Sequence, residues 1–156
     1  MSNIHLRVDY PAAGKLAPAA FAAMSALGKA VDDSGLEKSL TELVKVRVSQ
    51  INHCAFCIQY HLNLARKIGI PAEKLDLVAA WREAGVYTGR EMAALNWAEA
   101  LTMLPSHVPD DNEWSDLLKQ FSADEAVFLT ISIGTINNWN RIAVGLNFAP
   151  PIPRQA

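Results

Sequence analysis

The chain has 156 residues, of which 51% are hydrophobic and 19% charged, with eight glycines and eight prolines. This composition excludes a disordered, collagen-like or low-complexity chain and predicts one globular domain spanning residues 1–156. Fourteen basic and sixteen acidic residues give a net charge of −2 with no basic block. Nucleic acid is therefore not expected as a partner.

No segment predicts a membrane span or a secretory signal. Uncharged runs such as 126–140 contain Thr, Ser, Gly and Asn and do not reach the roughly 18 apolar residues of a spanning helix. Residues 1–10 carry charges and lack an apolar signal core. We therefore expect no membrane association and a cytoplasmic location. Two cysteines are too few for a disulfide scaffold.

The first half of the chain shows apolar residues at helical three- and four-residue spacing. Residues 1–17 contain proline and glycine and are expected to form an irregular arm. The predicted helices follow in chain order: an Ala-rich helix over 19–31, a helix opened by a Ser-x-x-Glu capping box at 34–37 that runs to about 52, and a third helix from about 54 to 68.

The second half continues the helical pattern after Pro71, which begins a further helix. Capping boxes at 88–91 and 122–125 predict two helices, and an acidic start at 110–113 predicts another between them. The Pro-rich stretch at 149–156 predicts a non-helical tail. The predicted fold class is all-α, a single helical domain of about six or seven helices.

A Cys-x-x-Cys pair, Cys54 and Cys57, lies at the predicted start of the third helix, and His61 follows four residues later. Offsets of three, four and seven residues lie on one helix face, so both sulfurs and the imidazole point the same way. Free N–H groups at a helix start favour a thiolate, and an imidazole can accept the thiol proton. The pattern predicts a redox-active dithiol.

Other interpretations of the pair are less consistent with the sequence. A c-type haem needs histidine directly after the second cysteine, where this chain has Ile58. A structural zinc site needs four ligands, and His53 is the only nearby fourth candidate. A thioredoxin-like domain needs a preceding strand, which the pattern lacks. Two cysteines packed as small hydrophobes remain an open alternative. No cofactor and no metal are expected.

Glu42 lies twelve residues before Cys54. In a helical hairpin turning near residues 52–53, Glu42 and His61 differ by roughly 3 Å along the helix axis, a gap that a glutamate side chain spans. Glu42 is therefore a candidate proton acceptor or orienter of His61. The alternative is a surface glutamate, or an ion pair with Lys45 or Lys38.

Helix geometry assigns roles within the pair. His61 is one turn from Cys57 and two turns from Cys54, so Cys57 is expected to be the attacking thiolate with His61 as its base. Cys54 is then the resolving thiol. The helix dipole favours Cys54, but its effect covers the whole first turn and therefore reaches Cys57 as well.

The spacing of Glu42, Cys54, Cys57 and His61, together with the intervening residues, resembles the alkylhydroperoxidase D / carboxymuconolactone decarboxylase family over about residues 37–70. The segment 136–141 is similar to the C-terminal helix of its small single-domain members. The resemblance implies thiol-dependent hydroperoxide reduction, a redox partner that supplies a dithiol, and a homo-oligomer, either trimer or hexamer. It also implies that Cys57 is the peroxide-reactive cysteine.

Two features of the family pattern bear on this chain. Alkylhydroperoxidase D has a histidine directly before the second cysteine, where this chain has Phe56. His53 is the candidate replacement imidazole, approaching from the other side. The decarboxylase branch lacks the cysteine pair, which favours the peroxidase-like branch. A non-catalytic redox sensor and a cysteine-independent decarboxylase or lactone-processing enzyme are the alternative functions.

The remaining histidines and aromatic residues are expected to be structural. His5 and His107 are predicted to be ordinary surface histidines. The four tryptophans are expected to anchor the core or an interface. Tyr60 is predicted to lie on another helix face than His61. The Ala-rich helix and the apolar C-terminal helix predict more hydrophobic surface than one small bundle buries, which favours a homo-oligomer with residues 54–61 near an interface.

Overall fold

The computed structural model describes residues 7–153, which form nine α-helices, one short 3-10 helix and no strand. The all-α prediction is confirmed, with nine α-helices in this range where about six or seven were predicted. The helices are α1 (Tyr10–Leu16), α2 (Pro18–Asp32), α3 (Lys38–Ile51), α4 (Ala55–Lys67), α5 (Ala72–Asp76), α6 (Trp81–Ala84), α7 (Gly89–Thr102), α8 (Asp111–Leu118) and α9 (Ala123–Leu146), with the 3-10 helix Val78–Ala80 between α5 and α6.

The predicted irregular arm contains a helix. Asp9 caps α1 by accepting a hydrogen bond from the Ala12 N–H at 2.7 Å, and Pro11 occupies its first turn, where no N–H partner is needed. The prediction treated Pro11 only as an interruption. Because α1 precedes the Ala-rich helix, the cysteine pair begins the fourth helix of the chain rather than the third.

Three helix starts in the second half carry reciprocal capping boxes. Thr88, Asp110 and Ser122 each accept a hydrogen bond from the N–H of a glutamate three residues later, and that glutamate bonds back to the cap N–H. The boxes at 88–91 and 122–125 were predicted, and the acidic start at 110 is a third. Each box satisfies two backbone donors that a helix start leaves unpaired.

The capping box predicted at 34–37 is wrong. Ser34 donates its hydroxyl to the Val31 carbonyl oxygen, and Glu37 is itself the N-cap of α3, without a side-chain cap bond. Gly35 has φ +93°, so residues 34–36 turn in a conformation that a helix start cannot contain. The Glu37 carboxylate instead accepts a hydrogen bond from Arg90 at 2.9 Å. This charge-assisted bond is stronger than one from a backbone amide.

Helix α3 is buried on two sides and lies against α4, α7 and α9. One side joins a cluster with the cysteines and α9, and the other joins a second cluster with Trp81 and Leu95. The α3–α4 hairpin is thereby fixed between two hydrophobic clusters, and it carries the four residues that the sequence singled out. Among residues 7–153 no helix is long and apolar enough to cross a membrane.

Candidate active site

The turn between α3 and α4 positions the cysteine pair. His53 adopts a left-handed backbone conformation with φ 54°, which reverses the chain directly after α3. The Cys54 N–H then donates to the Ser49 carbonyl oxygen at 3.0 Å, and Cys54 becomes the N-cap of α4. The first cysteine is therefore fixed at the helix start by backbone hydrogen bonds.

Cys54 and Cys57 form a disulfide, with their Cα atoms 5.3 Å apart. The Cys54 Sγ also accepts a hydrogen bond from the Cys57 N–H at 3.2 Å. Both side chains are nearly inaccessible, but only Cys57 lines the adjacent cavity. A small molecule in that cavity therefore meets Cys57 and not Cys54.

His61 lies one turn beyond Cys57 on α4 and lines the same cavity. Its Nδ1 is 2.7 Å from Oε2 of Glu42, which stands on α3. Because a carboxylate only accepts hydrogen bonds, the shared proton belongs to Nδ1. In the neutral imidazole Nε2 is then the basic nitrogen, so Glu42 selects the tautomer able to take a proton.

Glu42 is fully buried, and cations from its own helix surround it. Lys45 and Lys38 approach its Oε1 at 2.9 and 3.2 Å, while His61 holds Oε2. Burial by itself raises the pKa of Glu42, but the hydrogen bond from His61 and the charge of Lys45 outweigh it and hold the pKa at about 2. The carboxylate is consequently ionised across the physiological pH range.

The cavity beside Cys57 has a volume of about 180 Å³ and a largely aromatic wall. Phe56 and Tyr60 stack on α4 with ring centroids 6.0 Å apart, and Tyr10 of α1 lies 5.2 Å from Phe56. Trp139 of α9 closes the wall 6.2 Å from Tyr10. The Lys45 side chain also lines the cavity. Five helices, α1, α2, α3, α4 and α9, thus line a mainly apolar chamber with a cysteine sulfur, an imidazole and an ammonium group on its surface.

A buried amide network connects the hairpin turn to α9. The Asn52 side chain donates to Asn137 Oδ1 at 2.9 Å and to Asn140 Oδ1 at 2.8 Å. Asn140 in turn donates to the Ser49 hydroxyl at 3.0 Å. Since Ser49 also anchors the Cys54 N–H, this network holds the backbone that presents the cysteine pair.

The structure brings together the four residues predicted for the site. Glu42 and His61 meet as the hairpin register predicted, and Glu42 also forms the alternative ion pairs with Lys45 and Lys38. Its interpretation as a solvated surface glutamate is wrong, because the side chain has no exposed surface.

The other histidines lie away from the cavity. His53 is exposed and is not part of the cavity wall, so it does not replace the imidazole absent at position 56. His107 is a surface histidine paired with Glu113, as predicted. His5 lies outside the described residues. Within residues 7–153 no group of three or more metal-ligating side chains is assembled.

Sequence reasoning missed most of the aromatic wall. Tyr60 was predicted to lie off the catalytic face, but it lines the cavity. Its spacing of four residues from Phe56 was the available signal, because such residues share a helix face. Trp81 and Trp97 are core residues, as expected, whereas Trp139 faces the cavity. Tyr10 gave no signal, because its segment was assigned to an irregular arm.

Comparison with known proteins gives consistent matches. The model of the carboxymuconolactone decarboxylase family matches residues 18–100. The uncharacterized protein YdfG of Bacillus subtilis (strain 168) is 34% identical over 132 residues, which is 85% of this chain and 90% of YdfG.

Solved structures match the fold over most of the chain. A protein of unknown function from Agrobacterium tumefaciens, ATU0492, described as a candidate antioxidant defence protein AhpD, is 40% identical with a TM-score of 0.88. The match covers 95% of this chain and 99% of that one. A peroxidase-related protein from Ralstonia eutropha JMP134 with an alkylhydroperoxidase AhpD core is 23% identical with a TM-score of 0.78, covering 89% and 74% of the two chains, and supports the fold alone.

Proposed function

The chain belongs to the carboxymuconolactone decarboxylase family, and from this membership and the geometry of the site we propose that it reduces organic hydroperoxides with the Cys54–Cys57 pair. The observation that carries the proposal is a single cavity bordered by Cys57 and by a histidine whose Nδ1 is held by the buried carboxylate of Glu42. Thiolate chemistry requires a thiol beside a positioned base.

In the first step the Cys57 thiol reacts with the hydroperoxide. His61 Nε2 takes the thiol proton, and the thiolate sulfur attacks the terminal peroxide oxygen. The O–O bond breaks and an S–O bond forms, so that Cys57 becomes a sulfenic acid. The alkoxide leaves with the proton held by His61, and the organic product is an alcohol. Ionised Glu42 stabilises the transient imidazolium.

In the second step the sulfur of Cys54 attacks the sulfur of the sulfenic acid. A disulfide forms, and the departing hydroxide takes the Cys54 proton and leaves as water. Over both steps the dithiol loses two electrons, which reduce the peroxide bond. An external dithiol then exchanges with the disulfide, becomes oxidised itself and restores both thiols.

Two observations support Cys57 as the attacking residue. It is the cysteine that lines the cavity, and it stands one helical turn from His61. The hydrogen bond from the Cys57 N–H to Cys54 Sγ suits Cys54 for the second role, because it stabilises negative charge on that sulfur when the disulfide is later opened.

Steady-state consumption of cumene hydroperoxide with dithiothreitol tests the proposal. We expect turnover by the wild type and none by Cys57→Ser or by the double variant Cys54→Ser/Cys57→Ser. Cys54→Ser lacks the resolving thiol and depends on dithiothreitol to reduce the Cys57 sulfenic acid directly. Turnover that survives in the double variant would contradict thiol chemistry and favour a cysteine-independent reaction. A single oxidation event without turnover would favour a redox sensor.

We also infer a homo-oligomer. Leu27 on α2 and Val127 and Val144 on α9 are between 43% and 51% exposed, which leaves apolar side chains on both helices without cover in one copy. That this interface lies near residues 54–61 stays a prediction of the sequence. Light scattering should give a trimer or a hexamer, and a monomer of 17.0 kDa at micromolar concentration would contradict this inference.

A further inference from the structure

The wall of the cavity is more aromatic than the chemistry of a thiol requires. Phe56, Tyr60, Tyr10 and Trp139 all border the space in front of Cys57, and Met24 adds a thioether. A thiol and its base act equally well beside aliphatic side chains. We therefore interpret the four rings as groups that recognise the ligand, because the reaction itself does not need them.

Two of these rings are incompletely covered by the protein itself. Tyr10 is 38% exposed and Tyr60 is 46% exposed, although each is stacked or tilted against Phe56. Because both residues also line the cavity, their rings are available for contact with a ligand that enters it. The rings are also inclined to one another, with interplanar angles of 32° between Tyr10 and Phe56 and 52° between Tyr10 and Trp139. Such an arrangement offers both faces and edges to an added ring.

Phe56 is the residue that distinguishes this wall. It occupies the position directly before the reactive cysteine and contacts Tyr10, Tyr60 and Phe148. Its ring cannot relay a proton, and His61 is already supplied with its orienting carboxylate. The position therefore contributes packing surface to the cavity.

We propose that the cavity selects hydroperoxides that carry an aryl group, with the aromatic ring of the substrate packed among Phe56, Tyr60, Tyr10 and Trp139. The peroxide oxygens then lie toward Cys57 and His61. The selectivity rests on the proposed function for its reacting group, while recognition of the ring depends only on the cavity. Hydrogen peroxide and small aliphatic hydroperoxides leave the aromatic wall uncovered and gain nothing from it.

Two probes of similar size separate the contribution of ring–ring contacts from that of buried apolar area. Cumene hydroperoxide and its ring-saturated counterpart, 2-cyclohexyl-2-propyl hydroperoxide, share one carbon skeleton and differ in the saturation of the ring. Ring–ring contacts contribute about 0.5–1.5 kcal/mol beyond buried area, so the pre-reduced protein should react roughly two- to twelvefold faster with the aryl compound in single-turnover measurements. Equal rates, or faster reaction of the saturated compound, would overturn the selectivity while leaving the proposed peroxidase function in place.

Binding of the product alcohols tests the cavity without any chemistry. The disulfide form should bind 2-phenyl-2-propanol about two- to twelvefold more tightly than 2-cyclohexyl-2-propanol in an NMR titration. Aryl preference in binding without peroxide turnover would refute the peroxidase function and retain the cavity assignment. Loss of alcohol binding as protein concentration rises would assign the cavity to a second copy of the chain and overturn the inference.

Two leucine variants localise the effect. Phe56→Leu keeps an apolar side chain but removes one ring, and should lower the aryl preference at least twofold in both measurements. Phe128→Leu is the matched control, because Phe128 lies on α9 against the core and is not part of the cavity wall. An unchanged preference in Phe56→Leu, or an equal decrease in both variants, would contradict a role for this ring.

Discussion

At the scale of single residues, the position of Glu42 is the most demanding feature of the molecule. A carboxylate with no exposed surface is costly unless its charge is matched by partners. The chain supplies those partners at fixed helical offsets, with Lys38 one turn before and Lys45 one turn after, while His61 arrives from α4. The same carboxylate that costs free energy to bury orients the imidazole at Nδ1.

Replacing the Glu42 carboxylate should slow the reaction with hydroperoxide while the protein keeps its fold. In Glu42→Gln the amide retains the size of the side chain, but it no longer stabilises an imidazolium. We expect oxidation by cumene hydroperoxide to slow roughly a hundredfold, the magnitude of a lost general-base contribution. Single-turnover rates on pre-reduced protein measure this, with circular dichroism to verify folding.

The matched control is Glu73→Gln, which changes an exposed glutamate on α5 and should leave the rate unchanged. His61→Gln provides a second test, because it removes the base but spares the Glu42–Lys45 pair. If Glu42→Gln and His61→Gln both react at the wild-type rate, the Glu42–His61 pair is a structural contact and does not take part in the reaction.

The low pKa of Glu42 also makes a prediction about stability. Its pKa is about 2 in the folded protein and 4.5 in the unfolded reference, so the folded state favours the ionised form. The resulting contribution, about 3 kcal/mol, is fully present above pH 4.5 and is lost as pH falls toward 2. The free energy of unfolding of the wild type, measured in urea, should therefore decrease as pH falls from 4.5 to 2.

Glu42→Gln isolates that contribution, because other acidic side chains titrate in the same range. The difference in free energy of unfolding between wild type and variant should shrink as pH falls from 4.5 to 2. A difference that stays constant with pH would show that folding does not lower the pKa of Glu42.

At the scale of elements, the α3–α4 hairpin explains how much of the site the sequence could predict. Helix spacing placed Cys54, Cys57 and His61 on one face, and the hairpin register placed Glu42 beside His61, because both follow from helix rise alone. The spacing of Phe56 and Tyr60 on α4 carried a signal for one half of the aromatic wall, but the half formed by Tyr10 and Trp139 could not be predicted in this way. The positions of Tyr10 and Trp139 depend on where α1 and α9 pack across the hairpin. The local spacing of apolar residues does not predict which helices contact each other.

The Asn52–Asn137–Asn140–Ser49 network is the element-level device that holds the hairpin turn. Asn140→Leu removes both bonds of a buried amide and leaves the groups on Asn52 and Ser49 with fewer partners. The free energy of unfolding should fall by about 1–3 kcal/mol in urea titrations. Asn138→Ala, an exposed position on the same helix, should change it by less than about 0.5 kcal/mol. Equal effects of the two variants would contradict a special role for the buried network.

At the scale of the whole molecule, a redox cycle requires a fold that does not depend on the disulfide. The Cys54–Cys57 bridge closes a very short loop, whereas the two hydrophobic clusters draw on residues from most helices. The helical architecture could be predicted from the sequence because capping signals recur along the chain. The extra helix α1 was missed because proline was interpreted as an interruption.

Reduction should therefore lower stability only modestly. Loop-closure entropy for so short a bridge is worth about 2 kcal/mol, so the reduced protein should remain folded. Urea unfolding with and without a phosphine reductant measures the difference. Unfolding on reduction alone would be incompatible with catalytic cycling of the pair.

The most direct test of the central claim is to locate the sulfenic acid. Cys54→Ser and Cys57→Ser are each treated with one equivalent of cumene hydroperoxide and a dimedone trap, then mapped by mass spectrometry. Attack by Cys57 predicts a trapped adduct on Cys57 in Cys54→Ser and at most slow labelling of Cys54 in Cys57→Ser. An adduct on Cys54 in Cys57→Ser, with none on Cys57 in the other variant, would contradict the assignment.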